Sequence, residues 1–309
     1  MREQPLRHLT TIKSLSQKTI HNLLAKSEHY LKNNILQNTT CNILQGQIVT
    51  NLFFESSTRT RHSFIVAAKR LNAIVLNPHL PHTAISKGES LLDTIHTFEA
   101  IGTRFFVIRH ADNGVPEWIA TQVKKSSIIN GGDGTNQHPT QALLDLLTIH
   151  QRKNNWKELT VAIIGDIVHS RVANSLIDAL SILKISQIRL VGPSGLLPSY
   201  SEQKNISIHH ALEDGIRNAD VIVALRLQKE RVPDTTISEF KTFHENFYLS
   251  AEKLSLAKPD AIVMHPGPMN RHVEIAPEVA DGPQSVILQQ VQNGVAVRMA
   301  VFDLLSGNI

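Results

Sequence analysis

The chain has 309 residues, of which 41% are hydrophobic and 19% charged, and a net charge of +4 at pH 7, which is room for two domains of ordinary size, each with its own core. No apolar run approaches the roughly 20 residues that cross a bilayer, and the first thirty residues carry polar groups where a signal peptide needs an apolar stretch, so a cytoplasmic protein is expected. The lone Cys41 excludes an internal disulfide and a cysteine-based zinc site, the histidines (His8, His21, His29, His62 and His79 among them) show no paired metal spacing, and the basic residues form no block or stripe of the kind that binds nucleic acid.

Taken in chain order, the pattern opens with a helix over 16–32 that places Ile20, Leu23, Leu24, Ala25 and Leu31 on one face. Strands are expected at 48–54, 73–77, 103–109 and 127–130, with helical stretches between them. A helix opened by Pro139 carries Leu143, Leu144, Leu146 and Leu147 and ends near the polar stretch 151–158, which marks a domain boundary. A second series of strands follows at 160–164, 188–191, 221–225 and 261–264. The closing stretch 283–305 is one helix or two around Gly294, with Val286, Val291, Val295 and Phe302 as core. Such βα alternation predicts an α/β fold of two doubly wound parallel-sheet domains facing each other across a cleft. The domains run from 1 to 148 and from 149 to 287, with 288–309 packing back on the first.

Every unusual polar cluster falls at the carboxyl end of an expected strand, where ligands bind in open α/β sheets. The segment 53–61, FFESSTRTR, runs from a strand end into an amphipathic helix bearing Phe64, Ala67, Ala68 and Leu71. Ser57 or Thr58 stands at the N-cap, and the N–H groups that follow have no partner inside the helix. Arg59 and Arg61 lie in the first turn, where a cation opposes the helix dipole unless an anion lies between them. The segment therefore reads as a phosphate cradle; the plain alternative is a capped helix with two solvated arginines. Arg171 stands early in another helix, in the same unfavourable position, and Arg226 follows another strand.

With these blocks in view, the chain resembles the transcarbamoylases and, among them, the aspartate carbamoyltransferase family. The resemblance runs in order through FFESSTRTR at 53–61, SKGESLLDT at 86–94, VIRH at 107–110, GDGTNQHPTQALLD at 132–145, GDIVHSRVANS at 165–175, RLQKER at 226–231 and HPGPMNR at 265–271. Several ordered blocks are far more specific than one short motif. One departure is His272, where the family commonly has glycine; a shifted backbone with activity retained is the expectation.

The resemblance implies transfer of the carbamoyl group of carbamoyl phosphate to the α-amino group of L-aspartate, the committed step of pyrimidine synthesis, without metal or organic cofactor. It implies that Ser57, Thr58, Arg59, Thr60 and Arg109 hold the phosphate. Thr60, Arg109 and His138 are then directed at the carbamoyl oxygen, and Gln141 with the backbone carbonyls of Gly267 and Pro268 at the carbamoyl amine. Arg171 and Arg226 match the two carboxylates of aspartate, with Gln228 beside them. Lys87, together with a hydroxyl that is either Thr83 or Ser86, enters the site of a neighbouring subunit. The family further implies a homotrimer, and a larger assembly with regulatory or dihydroorotase-like chains.

The amine proton goes either to the leaving phosphate or to His138, and the loop 228–248, interrupted by Pro233, is a candidate lid. The nearest competitor is a sister transcarbamoylase acting on ornithine, but the thiol of a His-Cys-Leu-Pro block is absent at 265–268 and a cationic acceptor fits poorly beside two arginines. A nicotinamide oxidoreductase lacks its G-x-G-x-x-G, since His169 and Arg171 fill that turn. A non-catalytic anion or nucleic-acid binder is the remaining alternative, distinguished by a steep salt dependence of binding.

Overall fold

A computed structural model describes residues 6–79, 88–153, 155–199, 203–226 and 243–307. The chain divides into two compact units, Met1–Leu147 with Val291–Ile309, and Thr148–Gln290.

The first unit holds the strands β1 (Ile48–Phe53), β2 (Ile74–Leu76), β3 (Thr103–His110) and β4 (Ser127–Asp133). They form one sheet in the order β2-β1-β3-β4, with every pairing parallel. Around the sheet run α1 (Gln17–Tyr30), α2 (Thr58–Arg70), α3 (Leu91–Ala100), α4 (Val115–Gln122) and the start of α5 (Pro139–Arg152). The central strands are apolar on both faces, as a parallel sheet covered by helices requires: Val49, Leu52, Phe105, Phe106, Val107 and Ile108 are all fully buried. Helix α2 starts where expected and buries Phe64, Ala67 and Ala68. In α1 the buried face is Ile20, Leu23, Leu24, Ser27 and Tyr30, so Ala25, expected on that face, is exposed instead.

The second unit continues through α5 to β5 (Thr160–Ile164), α6 (Arg171–Ile182), β6 (Gln187–Val191), β7 (Ile206–His209), α7 (Leu212–Ile216), β8 (Val221–Ala224), α8 (Ala251–Leu254), β9 (Ile262–Met264) and α9 (Pro277–Ala280). Its sheet is again wholly parallel, in the order β7-β6-β5-β8-β9. Strand β7 has no counterpart in the sequence expectations, because four half-buried residues at a sheet edge carry too short a pattern. Phe243 and Phe247 are buried in this unit's core and stack with centroids 5.3 Å apart.

The closing stretch is a single helix, α10 (Ile287–Leu305), unbroken at Gly294. Phe302 and Val286 are buried, but Val291 is 45% exposed, so the helix turns a different stripe inward than a valine count suggests. That stripe includes Asn293, Arg298 and Asp303, all buried polar groups. At the far end of α10, Asp303 accepts a hydrogen bond from Tyr30 Oη at 2.6 Å and pairs with Lys26 Nζ at 2.8 Å, tying α10 to α1.

Candidate active site

Each sheet has one point where the strand order reverses, and each reversal lies between two strands whose carboxyl ends carry arginines. In the first unit the chain leaves β1 towards β2 on one side and places β3 on the other, so the crevice opens beyond β1 and β3. There the Phe54 N–H donates to the Arg109 carbonyl at 2.9 Å, bringing the start of the 53–61 segment alongside Arg109. In the second unit the reversal lies between β5 and β8, and the Leu225 N–H donates to the Ile164 carbonyl at 2.8 Å. Gly165, at φ +125°, belongs to that junction: a Cβ there would lie 3.1 Å from the Leu225 carbonyl oxygen.

At the first reversal Ser57 is the N-cap of α2, yet its side chain makes no capping hydrogen bond. The first-turn N–H groups are thereby left to other acceptors. Arg59 is exposed on this turn, and among the described residues no acid or carbonyl is paired with it. Partial burial pushes its guanidinium below the usual arginine value. Arg61 behaves differently from the expectation. It donates to Asn77 Oδ1 at 2.8 Å and to the Pro78 carbonyl at 3.4 Å, so it braces the chain after β2 and leaves the anion site to Arg59.

Arg109 ends β3 and is clamped from two sides: its Nε lies 3.1 Å from Glu55 Oε2, and Nη1 donates to the Gly131 carbonyl at 3.2 Å. His138 reaches α2 from the start of α5. Its Nε2 lies 3.4 Å from Thr60 Oγ1, both side chains being buried. The turn that delivers His138 is organised by Asp133, a residue the sequence did not single out. Its carboxylate accepts from Asn130 Nδ2 (2.7 Å), Gln137 N (3.0 Å), Gly114 N (2.7 Å) and Asn136 Nδ2 (2.9 Å). One turn along α5, Gln141 Nε2 donates to Asp145 Oδ1 at 3.0 Å. The structure therefore brings Thr60 and His138 together at the first turn of α2, with Arg109 held against Glu55 at the start of the same 53–61 segment.

At the second reversal Arg171 is the first residue of α6 and is buried, with Ser170 as N-cap accepting from the Ala173 N–H at 3.2 Å. Asp166 shapes the preceding turn by accepting from both the backbone N–H (3.1 Å) and Nδ1 (2.9 Å) of His169. Arg226 is half-buried just past β8. Gln228, Thr83, Ser86 and Lys87 lie outside the described residues, as does 228–242 of the expected lid.

Gly267 and Pro268 follow β9 in a turn built on His265. Its Nδ1 accepts from the Gly267 N–H at 2.8 Å, so the ring proton sits on Nε2, which donates to Glu274 Oε1 at 3.1 Å. The same carboxylate oxygen accepts from the Asn270 N–H at 2.6 Å. This buried pair holds the turn that carries Gly267 and Pro268. At His272 the backbone takes φ +65°, the left-handed region that glycine enters freely.

The comparisons with known proteins agree with this geometry. Residues 7–151 match the carbamoyl-phosphate-binding domain of aspartate/ornithine carbamoyltransferases, and residues 157–305 match the Asp/Orn-binding domain. The chain belongs to the aspartate/ornithine carbamoyltransferase family. It is 54% identical to the aspartate carbamoyltransferase catalytic subunit of Coxiella burnetii over 98% of this chain and 97% of that one. Among solved structures it is similar to aspartate transcarbamoylase from Trypanosoma cruzi bound to N-(phosphonacetyl)-L-aspartic acid, with a TM-score of 0.88 and 34% identity over 97% and 95% of the two chains. The same enzyme in complex with carbamoyl phosphate and aspartate gives a TM-score of 0.87 at 33% identity, over 97% and 96%. Among the described residues no group of three metal-ligating side chains occurs, and no helix is long and apolar enough to cross a membrane.

Proposed function

We propose that the protein transfers the carbamoyl group of carbamoyl phosphate to the α-amino group of L-aspartate, giving N-carbamoyl-L-aspartate and phosphate for pyrimidine synthesis. The observation that carries this reading is the pairing of arginines with a helix N-terminus at both strand-order reversals: Arg59 and Arg109 with α2, Arg171 and Arg226 with α6. A phosphate dianion suits the first set, and a molecule with two carboxylates the second. The first unit is then the carbamoyl-phosphate-binding domain and the second the aspartate-binding domain.

In this reading the α2 N–H groups, Ser57, Thr58 and Arg59 hold the phosphate. Thr60, Arg109 and His138 hold the carbamoyl oxygen, while Gln141 and the carbonyls of Gly267 and Pro268 accept from the carbamoyl amine. Arg171 and Arg226, with Gln228 and Lys87, bind aspartate, and Lys87 and Thr83 come from a neighbouring subunit of a cytoplasmic homotrimer. The amine nitrogen attacks the carbamoyl carbon, and negative charge builds on the carbamoyl oxygen. The C–O bond to phosphate then breaks, and the amine proton leaves with phosphate or through His138. Three donors already in place stabilise that charge, each contributing about 2 to 4 kcal/mol. Phosphate is a good leaving group, so no enzyme nucleophile is required and orientation supplies much of the rest.

An ornithine acceptor is disfavoured by the same electrostatics, since its side-chain ammonium meets two guanidinium groups. The test is incubation of the purified protein with carbamoyl phosphate and a panel of amino acids, scoring ureido products. Aspartate is expected to react well and ornithine not; the opposite preference sinks the assignment.

A further inference from the structure

A fully buried carboxylate, Asp145, stands behind Gln141. Gln141 Nε2 donates to Asp145 Oδ1 at 3.0 Å, both groups being buried and Asp145 fully so. An ionised carboxylate only accepts hydrogen bonds, so this contact directs the amide NH2 of Gln141 inward and leaves Oε1 as its outward atom. The two ends of an amide are nearly the same shape, and without such a partner the group turns over freely. A buried carboxylate also requires a counter-charge. A cation with an electrostatic influence on it is Arg298 on α10, which acts through its field and not through a direct contact. Its guanidinium is fully enclosed, packs 4.8 Å from the centre of the Phe64 ring and donates from Nη1 to the Gly294 carbonyl at 2.8 Å. Burial lowers it to about 9, with the charge of Asp145 acting the other way, so it remains a cation at neutral pH. Gly294 makes the room: a Cβ there would sit 2.6 Å from Arg298 Nη1.

We infer that Asp145, backed by Arg298, is a positioning residue that presents Gln141 Oε1, and not its NH2, to the carbamoyl amine of the substrate. The inference rests on the proposed placement of Gln141 against that amine. It assigns donor recognition to a relay from the C-terminal helix through α5, and it gives the mid-helix glycine a purpose. Selection follows from it. An acyl phosphate with a methyl group in place of the amine, such as acetyl phosphate, offers nothing for Oε1 to accept.

The test compares wild type, Asp145→Asn and the double variant Gln141→Glu/Asp145→Asn. The single variant lets the amide at 141 turn either way, so the KM for carbamoyl phosphate is expected to rise about tenfold, the worth of one hydrogen bond. Inhibition by inorganic phosphate, which Gln141 does not touch, stays unchanged. In the double variant both outer atoms at 141 are oxygens and the pair keeps its single negative charge, so the KM is expected to return towards wild type. A loss of phosphate inhibition in step with the KM, or a double variant no better than the single, overturns the inference and leaves Asp145 a structural residue. Failure of the underlying placement looks different, because Gln141→Ala then leaves the KM for carbamoyl phosphate unchanged.

Discussion

Glu55 Oε2 lies 3.1 Å from Arg109 Nε, placing a carboxylate against a guanidinium at a site otherwise built to bind anions. The Gly131 carbonyl accepts from Nη1 on the same guanidinium, so two contacts fix its orientation. Glu55 thus orients Arg109 before substrate arrives. Glu55→Ala is expected to lower kcat by about tenfold, the loss of one preorganised contact, while the Kd of inorganic phosphate changes less than threefold because removing a negative charge offsets the looser arginine. Steady-state kinetics beside phosphate calorimetry checks this; equal losses in both contradict it.

Arg59 stands on an exposed helix turn with no partner among the described residues, so its removal disturbs no packing. Arg59→Ala is expected to abolish turnover, with kcat/KM down by about a thousandfold or more. Thermal stability should stay within about 0.5 kcal/mol of wild type, as for other exposed positions. A variant that keeps a tenth of its activity removes Arg59 from the phosphate site.

His8 accepts a hydrogen bond from the Ile128 N–H at 3.1 Å through Nδ1, which requires a neutral ring. Burial first, then the charges of Arg7 and Arg104, hold its pKa down at about 4 against an ordinary value of 6.5. The unfolded chain therefore takes up the proton at higher pH than the folded one. The contribution of His8 to stability is complete above pH 6.5 and is lost as pH falls from there towards about 4. Urea titrations at pH 7 and pH 4.5 should show a smaller acid loss in His8→Asn, whose side-chain oxygen accepts without titrating.

His272 is exposed and sits at φ +65°, a conformation that costs an L residue about 1 to 2 kcal/mol. Its N–H still donates to the Ile275 carbonyl at 3.1 Å, a bond that glycine keeps. His272→Gly is expected to raise stability by about 0.5 to 1 kcal/mol, less than the full cost because glycine loses more freedom on folding. Denaturant midpoints measure the gain, and a destabilised variant assigns the imidazole a contact of its own.

Local features were readable along the chain. The run 160–164 reads as a strand from its β-branched residues and is β5; Pro139 marks the first residue of α5; the helix expected from 16 opens on Ser16 as its N-cap. The ordered motif blocks named the family because they record chemistry, with each group of residue types set at a strand end. Partnerships across the chain were not readable. Arg59 and Arg61 look alike in sequence, and only the position of β2 decides that Arg61 binds Asn77 while Arg59 stays open to a ligand. Gly294 looks like a helix break until Arg298 is seen folded over it, and Asp145 looks like one more polar residue until Gln141 is seen donating to it. The reason is physical. Helix and strand propensities and caps act within a few residues, whereas the partner of a buried charge is set by which helix faces pack together, and many partners are compatible with the same local pattern.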